Sequence, residues 1–392
     1  MNVNQGVAIA ASFELKPGRF PDLSPNDLYR HLAISAIQQW GIKPSDVGGL
    51  LTVPSGQGVG EIDIYTHEKF GAELGLTPSF SETLNAGGAS FAIMVNRAAS
   101  AIRSGLTDSV LCLGAGKFTK PASGGAEVMA RMISEPDFEV GYGPFIPALY
   151  ALIASRFMTE RGATSEDLAR VAVSARQWAL RNPRALMHSK GAITIEDVLE
   201  SRMIAEPFHY LDCSVPCDGG GAILVTTADK ARDMVTQPAY LLGYGEAHSH
   251  NSLSAAGDRL IDTLAIRTGD EAFRQAGLGR DELDMAMLYD AFSATPLILL
   301  ENLGLCDEGR SGAFVHSGAI DPGGSLPVNT NGGLMSFGHT GESSGMSLIV
   351  EAARQVMGQA GDNQLDKART ALVHVYGGMM YEHATMILGQ SL

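Results

Sequence analysis

Apolar positions along this chain follow two alternating rhythms. Short runs that are apolar almost throughout, such as GGAILVTT from Gly220 and TALVHVYGG from Thr370, read as strands covered on both faces. Longer stretches such as LARVAVSARQWALRN read as helices, while PALYALIASRF is about the longest apolar run and holds an arginine. VAIAA, near the N-terminus, reads as a first strand; no basic leader precedes it, so a signal-peptide layout is not expected. No apolar run approaches the roughly 18 to 20 residues needed to cross a bilayer. Strands and helices in alternation predict an α/β layered fold.

The pattern repeats. AIQQWGIKPSDVGGLLTVPS, from Ala36, aligns without gaps with AFRQAGLGRDELDMAMLYDA, from Ala272. Each gives a helix end, a capping glycine (Gly41, Gly277), an acidic helical turn and an apolar strand. A looser pair joins GGASFAIMVNRAASAIRSG and SVLCLGAG to ESSGMSLIVEAARQVMG and TALVHVYGG. The order helix–strand–helix–strand in both places predicts two pseudo-symmetric halves with a site between them. A segment of different character interrupts the first half. It opens with KPASGGAE and becomes helical, so the expected division is 1–118 with 203–235, an inserted segment 119–202, and 236–392.

Composition narrows the class. The 392 residues are 45% hydrophobic and 18% charged, as in a folded globular protein. A formal net charge of −15 argues against nonspecific nucleic-acid binding. Yet Arg156 to Lys190 holds six Arg and one Lys against two Glu and one Asp, a local balance of +4. Two readings stay open: a solvated helix face with i,i+4 ion pairs, or a landing site for the phosphates of a nucleotide-bearing substrate such as coenzyme A. Arg176, Arg181 and Arg184 are the candidates for the second. A phosphate-cradling glycine loop that would suit ATP or NAD is missing from the sequence. Of the four cysteines, Cys112 and Cys306 read as packing residues. Cys213 and Cys217 are too far apart for a CxxC pair, so no metal site is expected. A reducing, cytoplasmic location is the default.

The chemistry centres on Ser81 to Gly116, a polar turn, an apolar-rich helix, a short link and a buried strand. This segment resembles the part of a thiolase that carries an acylated cysteine, in the pattern Cys-Ala-Ser, at a helix start. Here the triplet is Gly88-Ala89-Ser90. Further matches are NTNGGLMSFGHTGESSGMSLIVEAARQVMG from Asn329, which resembles the Asn-x-x-Gly-Gly…Gly-His-Pro…Gly-x-(Ser/Thr)-Gly segment, and YDAFSATPLILLENLGLC from Tyr289, which resembles the His-Asp-Cys-Phe or Asn-Glu-Ala-Phe block. HVYGGMM resembles the C-terminal glycine-rich strand end, and CDGGGAILVTTADKA the strand that closes the first half. Over essentially its whole length the chain is similar to the thiolase superfamily, particularly the sterol-carrier-protein type and its lipid-transfer-protein relatives.

That resemblance implies α/β/α/β/α halves, a loop domain holding coenzyme A as part of the substrate, a homodimer and no covalently bound cofactor. It also places the departures. Gly88 stands at the nucleophile, Tyr289 at the His/Asn position and Ala291 at the acid/base cysteine. His374 stands at the second cysteine, and His339 remains of the Gly-His motif. Ser90 is no substitute nucleophile: two residues along a helix is a turn of roughly 200°, away from position 88, and an unactivated serine needs a base.

What remains is a cradle for a thioester enolate, in which each donor aimed at the oxygen is commonly worth about 3 to 4 kcal/mol. Retro-aldol cleavage of a 3-hydroxyacyl-CoA needs just that and removal of a hydroxyl proton. Tyr289 and His339 can divide these tasks, with Asp290 orienting a partner or serving structurally, His374 a further candidate, and the N–H groups of Gly88 and Gly378 as a backbone oxyanion pocket. Cysteine-less relatives of this kind include aldolases that shorten steroid side chains as CoA thioesters with a zinc-ribbon/OB-fold partner protein. Competing expectations are an acyltransferase and a non-catalytic acyl-CoA or lipid-binding subunit.

Overall fold

A computed structural model describes residues 6–60, 62–118 and 130–392. The KPASGGAE stretch lies outside them. Nine strands form one mixed sheet: β1 (Val7–Glu14), β2 (Gly49–Thr52), β3 (Phe80–Thr83), β4 (Ser109–Gly116), then β7 (Gly219–Thr227), β8 (Ala239–His248), β9 (Met285–Leu288), β10 (Thr370–Gly377) and β11 (Glu382–Gly389). Two short strands, β5 (Met203–Ala205) and β6 (Phe208–His209), make a separate ribbon.

The order β3-β2-β4-β7-β1-β8-β11-β10-β9 is its own explanation for the sequence repeat. Reading outward from the centre, β1–β7 and β8–β11 are antiparallel, β7–β4 and β11–β10 antiparallel, and β4–β2 and β10–β9 parallel. β3 is an extra edge strand on the first half. The halves meet where β1 and β8 pair through just Ala8↔Tyr240 and Ile9↔Ala239.

The aligned segments occupy equivalent places. Helix Pro25–Trp40 leads through a 3₁₀ turn to β2, as helix Ala265–Ala276 leads to β9. Both helices end on a left-handed glycine, Gly41 at φ 65° and Gly277 at φ 66°, which a residue with a Cβ would adopt at a cost. Helices Ser90–Arg103 and Ser344–Met357 pack on each other and on strands of both halves, and are buried along most of their length. Pro25–Trp40 covers the first half-sheet from outside and Ala265–Ala276 the second. The five α/β/α/β/α layers are thus built by both halves together around the central helix pair.

Helices Ile146–Arg161 and Ser165–Arg181 lie between β4 and β7 in the chain. Ser165–Arg181 starts with a capping box of Thr164 and Asp167 and packs on the Gly333–Phe337 turn of the second half. Among the described residues no helix is long and apolar enough to cross a membrane.

Candidate active site

Behind β3 the chain turns at Gly87-Gly88 before helix Ser90–Arg103 begins. Ser90 stitches this turn: its Oγ donates to Gly87 O at 2.7 Å and accepts from Ala86 N at 2.8 Å. A Cβ at residue 88 would lie 2.4 and 2.6 Å from Cε2 and Cζ of Tyr289, and 2.6 Å from the carbonyl oxygen of Tyr376. The volume where the resemblance puts a nucleophile is therefore filled by a phenol. A Cβ on Gly87 would stand 3.2 Å from Gly378 N, so this turn lies against the one bearing Gly378.

Tyr289 follows β9, and its own N–H donates to His374 O at 3.1 Å. The ring is 6% exposed and meets Tyr376 edge-on at 4.8 Å. Its Oη is 2.6 Å from Ser344 Oγ and 3.3 Å from His339 Nε2. Burial pushes the phenol up to about 12, so it is protonated at neutral pH.

His339 is positioned mainly through its backbone. Its N–H donates to Val215 O at 2.8 Å, and Cys217 N–H donates to His339 O at 2.9 Å. The Asp212–Cys217 loop thus grips the Gly-His turn through Val215 and Cys217, a role for Cys217 that the cysteine spacing did not reveal. Gly338 at φ 143° has no room for a side chain, since a Cβ would sit 2.7 Å from Cys217 Sγ. On the ring, Nδ1 accepts from Gly341 N–H at 3.2 Å, and Phe118 approaches edge-on at 5.8 Å. The residue as a whole is half-buried, and desolvation of its imidazole pushes the pKa down to about 4. At pH 7 it is neutral.

Asp290 is fully buried and faces the Gly333–Phe337 turn, accepting from Leu334 N at 2.8 Å and Met335 N at 3.4 Å. Burial raises its carboxyl to about 7, against the pull of these N–H donors. It braces the turn that leads to His339. The His374 side chain enters a separate buried network: Nδ1 is 2.8 Å from Thr385 Oγ1 and Nε2 is 3.1 Å from His383 Nδ1. Its tie to Tyr289 is through its carbonyl.

The three candidate arginines have different surroundings. Arg176 is buried and donates to Gly191 O at 3.1 Å. Arg184 donates to Glu14 O at 2.6 Å, with the Glu14 carboxylate 3.7 Å away. Arg181 is exposed, its guanidinium 6.0 Å from the Trp178 ring. The other arginines of the basic stretch follow the ion-pair reading: Arg156 meets Glu160 at 2.7 Å, Arg161 meets Asp262 and Glu308 at 2.5 Å each, and Arg170 meets Asp321. All four cysteines are free, and burial raises every one of their thiols, so none is an activated nucleophile. Among the described residues no group of three or more His, Cys, Asp or Glu is placed to hold a metal ion.

Four site residues escaped the sequence reading. Ser344 was visible as the serine of the Gly-x-(Ser/Thr)-Gly motif, and Tyr376 lies two residues past His374 on β10. Tyr150, whose hydroxyl donates to Gly378 O at 2.7 Å, and Phe118 arrive from the segment around β4 and the inserted helices with no signal of their own.

A duplicated α/β fold with glycine turns and a Gly-His turn meeting between its halves defines a thiolase-type architecture. Residues 245–390 match the family described as thiolase C-terminal domain-like. The chain is 34% identical over 362 residues to the steroid side-chain-cleaving aldolase of Thermomonospora curvata, spanning 89% of this chain and 88% of that one. It is 29% identical to an acetyl-CoA acetyltransferase of Methanothermobacter thermautotrophicus, spanning 95% and 96%. The solved structure titled Ltp2-ChsH2(DUF35) aldolase superposes with a TM-score of 0.84 at 30% identity, over 98% of both chains. This chain belongs to the thiolase superfamily, and it lacks the nucleophilic cysteine.

Proposed function

We propose that the protein is a carbon–carbon lyase that cleaves a 3-hydroxyacyl-CoA by retro-aldol chemistry without a covalent acyl-cysteine. One observation carries this reading: Tyr289 fills the space above Gly88 and sets its hydroxyl 3.3 Å from His339 Nε2. Tyr289 and His339 are the proposed catalytic residues. The hydroxyl proton of the substrate leaves, the carbon–oxygen bond becomes a carbonyl, and the electrons of the Cα–Cβ bond flow into a thioester enolate. A proton delivered to Cα completes the reaction, so no co-reactant is consumed. A neutral imidazole N–H and the N–H groups of Gly88 and Gly378 suit the enolate oxygen.

A steroid or other bulky acyl group is favoured by similarity to a relative named for steroid side-chain cleavage. The acetyltransferase relative supports the alternative of acyl transfer. That route has to do without an acyl-cysteine here, which is why it ranks second; a non-catalytic acyl-CoA or lipid-binding subunit ranks third. We assign residues 119–202 as a loop domain holding the CoA, between the halves 1–118 with 203–235 and 236–392, with Arg181 the best exposed of its cationic candidates. A homodimer and a zinc-ribbon/OB-fold partner protein complete the proposal, the latter supported by similarity to the Ltp2-ChsH2(DUF35) aldolase structure. The four unpaired cysteines fit a cytoplasmic location.

The test is to offer a 3-hydroxyacyl-CoA with no free CoA present, alone and with co-expressed partner. A shortened acyl-CoA plus a carbonyl compound supports the lyase. An obligatory need for free CoA returns the reading to acyl transfer.

A further inference from the structure

The hydrogen bonds around Tyr289 close into a ring whose direction can be worked out. Gly341 N–H lies 3.2 Å from His339 Nδ1, and His339 Nε2 lies 3.3 Å from Tyr289 Oη. Tyr289 Oη lies 2.6 Å from Ser344 Oγ, and Ser344 Oγ lies 2.7 Å from Gly341 O. Two of these contacts, taken alone, leave donor and acceptor undecided. The peptide groups of Gly341 decide them: an amide N–H can only donate and a carbonyl can only accept. Nδ1 must therefore be the bare nitrogen of a neutral imidazole, which puts the proton on Nε2, facing Tyr289. At the other end Ser344 spends its one hydrogen on Gly341 O, so its oxygen accepts from Tyr289. Every member donates once and accepts once. In such a chain each bond polarises the next.

We infer that Ser344 is a positioning residue that turns the Tyr289 proton away from His339, leaving a lone pair of Oη open toward the substrate and the Nε2–H of His339 as the donor. This rests on the lyase reading and decides which group does what within it. The enolate oxygen carries no proton and needs a donor, which His339 supplies. The substrate hydroxyl must lose its proton and needs an acceptor, which is Tyr289 Oη. Oη takes that proton only as its own hydrogen leaves Ser344 Oγ and passes to Cα in the same step, so the phenol oxygen never carries two protons and Tyr289 ends as it began. The 3.3 Å link is the longest in the ring, and it is the place where substrate oxygens insert. Burial, which keeps the imidazole neutral and the phenol protonated, agrees with this assignment.

Two measurements on the full chain test it. Nitrogen-15 NMR of histidine-labelled protein, with His339→Gln to assign the signals, reads the tautomer without any substrate. A protonated Nε2 and a bare Nδ1 are expected, and a proton on Nδ1 overturns the ring. Kinetics on a 3-hydroxyacyl-CoA then compare Ser344→Ala with Ser344→Thr. Ser344→Ala should lower kcat by about 10- to 100-fold with KM little changed, while Ser344→Thr, which keeps the hydroxyl, should recover most of it. Wild-type kcat in Ser344→Ala overturns the positioning role. If the unaltered protein cleaves no 3-hydroxyacyl-CoA, the lyase reading fails, and the tautomer still decides the ring by itself.

Discussion

The ring of Tyr289 occupies the space that any side chain at position 88 would need, its Cε2 standing 2.4 Å from where a Cβ would be. Loss of the nucleophile and gain of the phenol are therefore two sides of one change in shape. Gly88→Ala should force the ring aside and cost about 1 to 3 kcal/mol, as overpacked buried sites do. Thermal unfolding and lyase rate should fall together, and unchanged values for both would show that the ring has somewhere else to go. By the same argument Gly88→Cys alone will not create a thiolase.

Tyr289→Phe keeps the ring and removes the hydroxyl. His339→Ala removes the donor but leaves its backbone bonds to Val215 and Cys217. Each should cut kcat by at least about 100-fold, the usual scale for a general acid–base partner, while circular dichroism and melting stay close to the unaltered protein. Full activity in the Phe variant would remove the phenol from the mechanism.

The pH profile follows from the two shifted groups. With His339 pushed down to about 4 and Tyr289 up to about 12, the working forms are neutral imidazole and neutral phenol. Acid puts a second proton on His339, at Nδ1, where Gly341 N–H already points. Hence kcat/KM should be level from about pH 5 upward and decline as pH falls through about 4. A limb near 6.5, the ordinary histidine value, would mean that the ring is not desolvated in the working enzyme.

Asp290 should act on stability before chemistry. Replacing it by Ala strands the buried N–H groups of Leu334 and Met335, at about 1 to 3 kcal/mol for each group left without a partner. Urea unfolding measures this directly. A variant as stable as the parent would mean that the turn finds other acceptors.

Much of this arrangement was legible in the chain because it depends on local signals. The glycine after each matched helix, the apolar runs of β7 and β10, and the GHTG and YDAF blocks each announce a backbone shape or a motif. What escaped depends on long-range placement. No local pattern says that the Cys213–Cys217 loop will clasp the backbone of His339, or that Tyr150 will reach Gly378. The basic stretch misleads for the same reason: its arginines look available until Asp262, Glu308 and Asp321 arrive from the other half. His374 is similar, a motif neighbour whose side chain the strand turns toward Thr385 and His383.

Whether the acyl group ever becomes attached to the protein is read by intact-mass spectrometry during turnover of a 3-hydroxyacyl-CoA, which follows substrate and protein together. The account predicts that shortened acyl-CoA and a carbonyl product accumulate while the protein mass stays at that of the bare chain. A protein peak heavier by the acyl group, rising and falling with turnover, would contradict it.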